Sequence, residues 1–266
     1  MNRVALVTGA ARGIGAATVL ALATDGWSVL AVDAATDDPA LPYPLGSKAE
    51  LSEVVGQANR LAGTPEAARS FLADVRDQAA LADAVAAAED WWGGLDAAIA
   101  VAGVIAGGVP LWEMPADQQQ VILDVNLGGV LGLARAAVPA LLRRPEPRHG
   151  RFLAVASTAA TRGLPMLAAY CAAKSGVTGL IRALAVELGG TGVTANAVSP
   201  GSTDTPILAE SARLYGLADA REFAAQQPAK KLLEPEDVAA VLAFLASPAS
   251  SGMTGSIVPV DGGLAL

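Results

Sequence analysis

Short apolar runs alternate along the whole chain with longer stretches of helical periodicity. Runs near 3–7, 28–32, 69–73, 95–101, 151–156, 193–198 and 256–260 read as strands. Between them, apolar positions spaced by three and four predict helices near 13–25, 48–62, 77–91, 116–142, 168–189 and 235–246. Such alternation is the signature of crossover units feeding a parallel sheet. In Ala97-Ala98-Ile99-Ala100-Val101 the apolar character is continuous rather than alternating, as expected for a strand covered on both faces. The expected fold is α/β, a doubly wound parallel sheet of about seven strands in a single domain over 1–266.

Two stretches are longer than simple connections. Residues 34–46, Ala-Ala-Thr-Asp-Asp-Pro-Ala-Leu-Pro-Tyr-Pro-Leu-Gly, exceed a typical strand-to-helix loop and end at Ser47-Lys48-Ala49-Glu50, a capping-box pattern that should open the next helix. Residues 201–230 follow a strand with mixed polarity and weak regular structure, and read as a flexible segment near a substrate. A third stretch, Val238 to Val260, lacks charge over a membrane-spanning length, but Ser247, Pro248, Ser250, Ser251 and Gly252 divide it into a helix and a strand.

Composition narrows the function. A chain of 266 residues buries roughly 70% of the surface it exposes when unfolded. A net charge of −8 makes nucleic acid and anionic membranes poor partners. One cysteine, Cys171, allows no internal disulfide; one histidine, His149, leaves no His/Cys cluster, so zinc chemistry and a metal site are not expected. The chain starts on the strand-like run Arg3 to Val7 without a basic, apolar and cleavable leader, which points to a cytoplasmic protein.

Thr8-Gly9-Ala10-Ala11-Arg12-Gly13-Ile14-Gly15 follows the first strand and opens the first helix. There, glycines allow close backbone approach and a helix N-terminus offers free N–H groups to a diphosphate. Asp33 closes the second strand, where a carboxylate accepts ribose hydroxyls and repels a 2′-phosphate, favouring NAD over NADP. Asp74, after the third, is placed to accept from an adenine amino group. Tyr170 and Lys174 stand four apart on one helix, so a cation can favour the phenolate. Ser157 ends the fifth strand, and Asn126 is a polar residue among apolar neighbours in the long 116–142 helix. Taken singly, each also has a purely structural reading: a tight turn, a loop-start aspartate, a surface helix pair, a satisfied buried amide.

Taken together and in this order, Thr8-Gly9, Gly13-Ile14-Gly15, Asn126, Ser157, Tyr170-Cys171-Ala172-Ala173-Lys174, Ser199-Pro200-Gly201 and the ending Val260-Asp261-Gly262-Gly263 resemble the short-chain dehydrogenase/reductase family over essentially the whole chain. The resemblance implies a Rossmann-type fold and an NAD-dependent oxidoreductase interconverting an alcohol and a carbonyl. It implies that Tyr170 is the general acid/base, that Ser157 orients the substrate oxygen, that Lys174 binds the nicotinamide ribose and depresses the Tyr170 pKa, and that Asn126 holds a water in a proton relay. Gly9, Arg12, Gly13, Ile14, Gly15, Asp33, Asp74 and Val75 would hold the adenosine and diphosphate. Ala102, Gly103, Tyr170, Lys174, Pro200, Gly201, Thr203 and Thr205 would hold the nicotinamide half. Where the family usually reads Asn-Asn-Ala-Gly, this chain reads Ala100-Val101-Ala102-Gly103, which should remove a sheet-bracing hydrogen bond.

The 34–46 insertion is similar to that of the mycofactocin-coupled branch of the family, which implies a lid over Asp37 to Leu45, tightly held NAD and a peptide-derived redox carrier as electron partner. The alternatives are an inert insertion with exchangeable NAD(P), or a non-catalytic dinucleotide sensor. The expected substrate is a small apolar alcohol or carbonyl, covered by Ile207, Leu208, Leu214, Tyr215, Leu217 and Phe223. A homotetramer built on the 116–142 and 168–189 helices is expected from the family, with Gly128, Gly129 and Gly132 permitting close helix approach or serving packing within one subunit. Cys171 reads as a packing residue and His149 as part of a solvated turn.

Overall fold

A computed structural model describes residues 3–266. Its strands are β1 (Val4–Thr8), β2 (Ser28–Asp33), β3 (Ala68–Leu72), β4 (Ala97–Ala100), β5 (Arg151–Val155), β6 (Thr194–Pro200) and β7 (Ile257–Val260). The helices are α1 (Gly13–Thr24), α2 (Lys48–Ala62), α3 (Gln78–Trp92), α4 (Ala116–Leu123), α5 (Gly129–Arg143), α6 (Ala168–Glu187), α7 (Pro206–Leu214) and α8 (Pro235–Ala246). All seven strands join one parallel sheet in the order β3-β2-β1-β4-β5-β6-β7. The order reverses between β1 and β4, so the loops after those strands diverge and leave a crevice at the carboxyl ends.

The strand side chains divide by alternation. Leu6, Leu30, Val32 and Ala98 point into one layer with Ile122, Leu133 and Val177, whereas Ala5, Val7, Val29 and Ile99 point into the other with Leu22, Leu51 and Leu242. Helices therefore cover both faces, α1, α2 and α8 on one and α3, α4, α5 and α6 on the other. Each buried leucine or valine contributes roughly 1.5–3 kcal/mol relative to exposure.

The Ser47–Glu50 capping box forms: the Glu50 N–H donates to Ser47 Oγ, and the Glu50 carboxylate accepts the Ser47 N–H at 2.8 Å. The uncharged 238–260 stretch divides as expected, into the end of α8, a short 3-10 turn and β7.

Three expectations are corrected. The helix expected over 116–142 is interrupted by a π-helical turn, Asp124–Gly128, between α4 and α5. Such turns insert one extra residue and frequently mark functional positions; this one carries Asn126. The whole 116–143 run is long and apolar enough to cross a membrane, yet half of its most apolar window is buried within this fold. Secondly, 201–230 carries regular structure over Pro206–Leu214 and Ala220–Gln226. Thr205 caps α7 with Pro206 in its first turn, and Leu208, Ala212 and Phe223 form a small separate core. Thirdly, Gly129 and Gly132 serve packing within the subunit: added Cβ atoms would lie 2.6 Å from a Val75 methyl and 2.1 Å from the Gln78 amide.

Candidate active site

The crevice is one cavity of about 650 Å³. Its floor is the turn after β1. Gly9 has φ +67°, and an added Cβ would stand 2.7 Å from Ala102 Cα, so this position lets β1 and the loop after β4 close on each other. A Cβ on Gly15 would lie 1.9 Å from the Gly9 carbonyl oxygen, which binds the start of α1 directly under the turn. Of the sixteen positions expected to touch a dinucleotide, Gly9, Arg12, Gly13, Ile14, Gly15, Asp33, Asp74, Val75, Ala102, Gly103, Tyr170, Lys174, Pro200, Gly201, Thr203 and Thr205, all line this cavity.

Asp33 is fixed by the backbone, Oδ2 accepting the Ala11 N–H at 3.0 Å and Oδ1 the Ala35 N–H at 2.9 Å. Each oxygen keeps a lone pair for a further donor. Asp74 is engaged within the chain. Its two oxygens take the Arg76 Nε at 3.0 Å each, and Arg76 Nη1 reaches the Asp38 carboxylate at 2.7 Å. Burial pushes the Asp74 carboxyl up, but these hydrogen bonds outweigh it and hold it below its ordinary range. In the ligand-free chain both of its oxygens thus hold Arg76.

At the other end, α6 presents Tyr170 and Lys174 to the cavity, and Ser157 follows β5. Lys174 Nζ donates to the Val155 carbonyl at 2.9 Å and lies 5.8 Å from the centre of the Tyr170 ring. Burial pulls the lysine down to about 8. Burial also pushes the Tyr170 phenol up to about 12, against the Ser157 hydroxyl, which pulls it down. In the ligand-free chain desolvation therefore dominates at Tyr170, opposed by the Ser157 hydroxyl. Ser157 Oγ also accepts the Ala159 N–H at 3.1 Å, which fixes the side chain at the strand end.

Asn126 does not line the cavity. Fully buried, it accepts the Val104 N–H at 3.0 Å and donates to the Val104 carbonyl at 2.9 Å. Its side chain braces the loop after β4. The same loop corrects the reading of Ala100 to Gly103: Thr8 Oγ1 accepts the Val101 N–H at 3.1 Å and the Ala102 N–H at 3.3 Å, so the missing amides are replaced by a hydroxyl on β1.

Tyr43, Asp38 and Arg76 escaped the sequence reading, and with Arg12 they fasten the 34–46 segment. Tyr43 Oη accepts the Ile105 N–H at 2.9 Å across the cleft, Arg12 Nη2 donates to the Pro44 carbonyl at 2.7 Å, and Asp38 pairs with Arg76. Leu41 is buried in the larger core layer. The segment is therefore a strap fastened on three sides of the cavity. The one available signal was an aromatic residue between two prolines, Pro42-Tyr43-Pro44, in a proline-rich stretch.

A family model described as enoyl-(acyl carrier protein) reductase matches residues 9–265. The chain belongs to the short-chain dehydrogenase/reductase family. A cis-4-hydroxycyclohexanecarboxylate dehydrogenase of Sinomonas cyclohexanicum is 37% identical over 264 residues, covering 98% of this chain and 96% of its own. An uncharacterised NAD-dependent oxidoreductase of Mycobacterium tuberculosis is 33% identical, covering 98% and 95%. Among solved structures, carveol dehydrogenase from Mycobacterium avium in complex with NAD superposes with a TM-score of 0.92 at 31% identity, covering 98% of this chain and 97% of that one. The short-chain dehydrogenase/reductase assignment thus extends over the strap and the α7 region as well as the glycine-rich turn.

Proposed function

We propose that the protein is an NAD-dependent oxidoreductase that interconverts a small, largely apolar alcohol and its carbonyl compound. The observation that carries this reading is the convergence of Ser157, Tyr170 and Lys174 on the same cavity as the glycine-rich turn and Asp33. Those residues fit a dinucleotide: free amides at the start of α1 suit a diphosphate, and a backbone-fixed carboxylate at the end of β2 suits a ribose diol. When bound, NAD supplies the two-electron chemistry at its nicotinamide ring.

The chain's own residues handle the proton. With its pKa near 12, the Tyr170 phenol is protonated at neutral pH and gives its proton to a substrate carbonyl oxygen; in the reverse direction the phenol must first lose that proton, and the phenolate then receives one from an alcohol. Ser157 offers a second hydroxyl to the same oxygen as charge develops there. Lys174, still mainly a cation at pH 7, is placed to meet ribose hydroxyls and to offset charge on the phenol as the proton leaves. Ile207, Leu208, Tyr215, Leu217 and Phe223 exclude water and favour an apolar substrate body.

We infer further that NAD stays bound through many turnovers and is reoxidised in place by mycofactocin, a peptide-derived carrier. The three-sided attachment of the strap favours this over exchangeable NAD(P). A homotetramer and a cytoplasmic location accompany the proposal; Leu131 on α5 and Val186 on α6 leave apolar surface exposed on the expected interface helices.

Denaturing the purified protein and identifying the released nucleotide, followed by oxidation of alcohols with an artificial electron acceptor, tests the reading. Released NAD that survives dialysis, with turnover lacking added cofactor, is the expected result. A nucleotide-free preparation that turns over normally on added NAD would replace captive by exchangeable cofactor. Bound nucleotide without any redox turnover would leave only a sensor.

A further inference from the structure

Tyr43 is carried across the cleft by the strap. Its phenolic oxygen accepts the Ile105 N–H at 2.9 Å, and it lines the same cavity as Gly13 and Tyr170. The next residue, Pro44, holds Arg12 by its carbonyl at 2.7 Å. Flanking prolines at 42 and 44 restrict the backbone, so the ring is presented with little freedom left to lose. One oxygen lone pair is spent on Ile105, and among the described residues the hydroxyl proton has no protein acceptor.

Burial pushes the Tyr43 phenol up to about 12, with the Ile105 hydrogen bond opposing, so the group remains an O–H donor at every physiological pH. Its position between two sides of the cleft follows from its contacts: the adjacent Pro44 is held by Arg12 of the glycine-rich turn, and its own oxygen meets Ile105 after β4. Arg12 has one N–H engaged by the Pro44 carbonyl. The strap thus occupies one donor beside the glycine-rich turn and brings another, neutral one, across the cleft from it.

We propose that Tyr43 is a dinucleotide-binding residue that donates its hydroxyl proton to a diphosphate oxygen while its own oxygen keeps the Ile105 amide. This rests on the dinucleotide reading of the cavity. It adds a ligand contact outside the glycine-rich turn, Asp33 and the Tyr170–Lys174 pair.

The test compares three probes, NAD, ADP-ribose and AMP, on cofactor-stripped wild type and on Tyr43→Phe, which keeps the ring. Calorimetric titration should show NAD and ADP-ribose bound about tenfold more weakly by the variant, as expected for loss of a hydrogen bond to a charged acceptor. AMP, which lacks the diphosphate bridge, should bind both proteins alike. A measurement on unaltered Tyr43 covers the case in which Y43F does not fold. The chain has three tyrosines, so a spectrum labelled at tyrosine Cζ has three resonances, assigned through Y170F and Y215F. The Tyr43 resonance should move with NAD and ADP-ribose and stay in place with AMP. Wild type that binds NAD alongside a variant that binds it equally, or a resonance indifferent to ADP-ribose, overturns the Tyr43 proposal alone. Wild type that binds neither NAD nor ADP-ribose overturns the dinucleotide reading itself.

Discussion

Lys174 is a buried cation without a carboxylate partner, and replacing it by methionine should stabilise the ligand-free protein. Lowering its pKa from 10.5 to about 8 corresponds to roughly 3 kcal/mol held against the charged form. Methionine removes that cost but also leaves the Val155 carbonyl without the ammonium donor at 2.9 Å, a loss of about 1–2 kcal/mol. The net gain for Lys174→Met at pH 7 is then about 1–2 kcal/mol, or roughly 2–6 °C in melting temperature. The sign with pH follows from proton counting. Below pH 8 folded and unfolded lysine are both protonated and the full cost is present. Between pH 8 and 10.5 the folded protein loses the proton first, so the unfolded state binds more protons and wild-type stability from this group rises with pH. The advantage of methionine should accordingly shrink through that window, pass through zero at about pH 9–9.5 and then reverse, because the lost Val155 hydrogen bond remains. Scanning calorimetry of both proteins, free of nucleotide, from pH 6 to 10 reads the gap. A variant that melts below wild type at pH 7, or a gap that is constant with pH, would refute the reasoning. NAD should bind the same variant more weakly, since the cation proposed to meet the ribose is gone.

Gly9→Ala places a methyl 2.7 Å from Ala102 Cα at a left-handed φ and should cost about 2–4 kcal/mol, read as a lower urea midpoint together with loss of retained nucleotide. Asn126→Leu strips both hydrogen bonds from the Val104 backbone; urea unfolding should show a loss of about 2–5 kcal/mol, and an unchanged midpoint would remove Asn126 from its bracing role. Asp38→Asn weakens the pairing with Arg76 that ties the strap to the β3 side. Rapid dilution should then show NAD leaving several-fold faster, whereas an unchanged rate would detach the strap from retention.

The fold was legible because its signals are local and agree with one another. Ser47 and Glu50 cap α2 where the pattern placed its start, and continuous apolar runs marked the buried strands. What escaped depends on contacts between distant residues. The π turn at Asp124–Gly128 leaves the apolar spacing of a long helix nearly intact, so periodicity cannot reveal it. Regular structure in 201–230 was signalled by Thr205-Pro206, a cap followed by a first-turn proline, but its stability comes from Leu208 and Phe223 meeting across a loop. Asp74 shows the same limit at the site. Its position after β3 was readable, whereas its capture by Arg76, and Arg76's by Asp38, required the strap's path. The sequence motif located Tyr170 and Lys174 together; their opposite pKa displacements follow from burial, which no spacing encodes.

The account depends most on Tyr170 as the proton carrier, and Tyr170→Phe tests it directly. With the ring retained and the hydroxyl removed, single-turnover redox of an accepted alcohol should fall by at least about a thousandfold, in line with the larger effects of general acid/base groups, while NAD content after dialysis stays equal to wild type. Redox turnover at the wild-type rate in a variant that still holds NAD would contradict it.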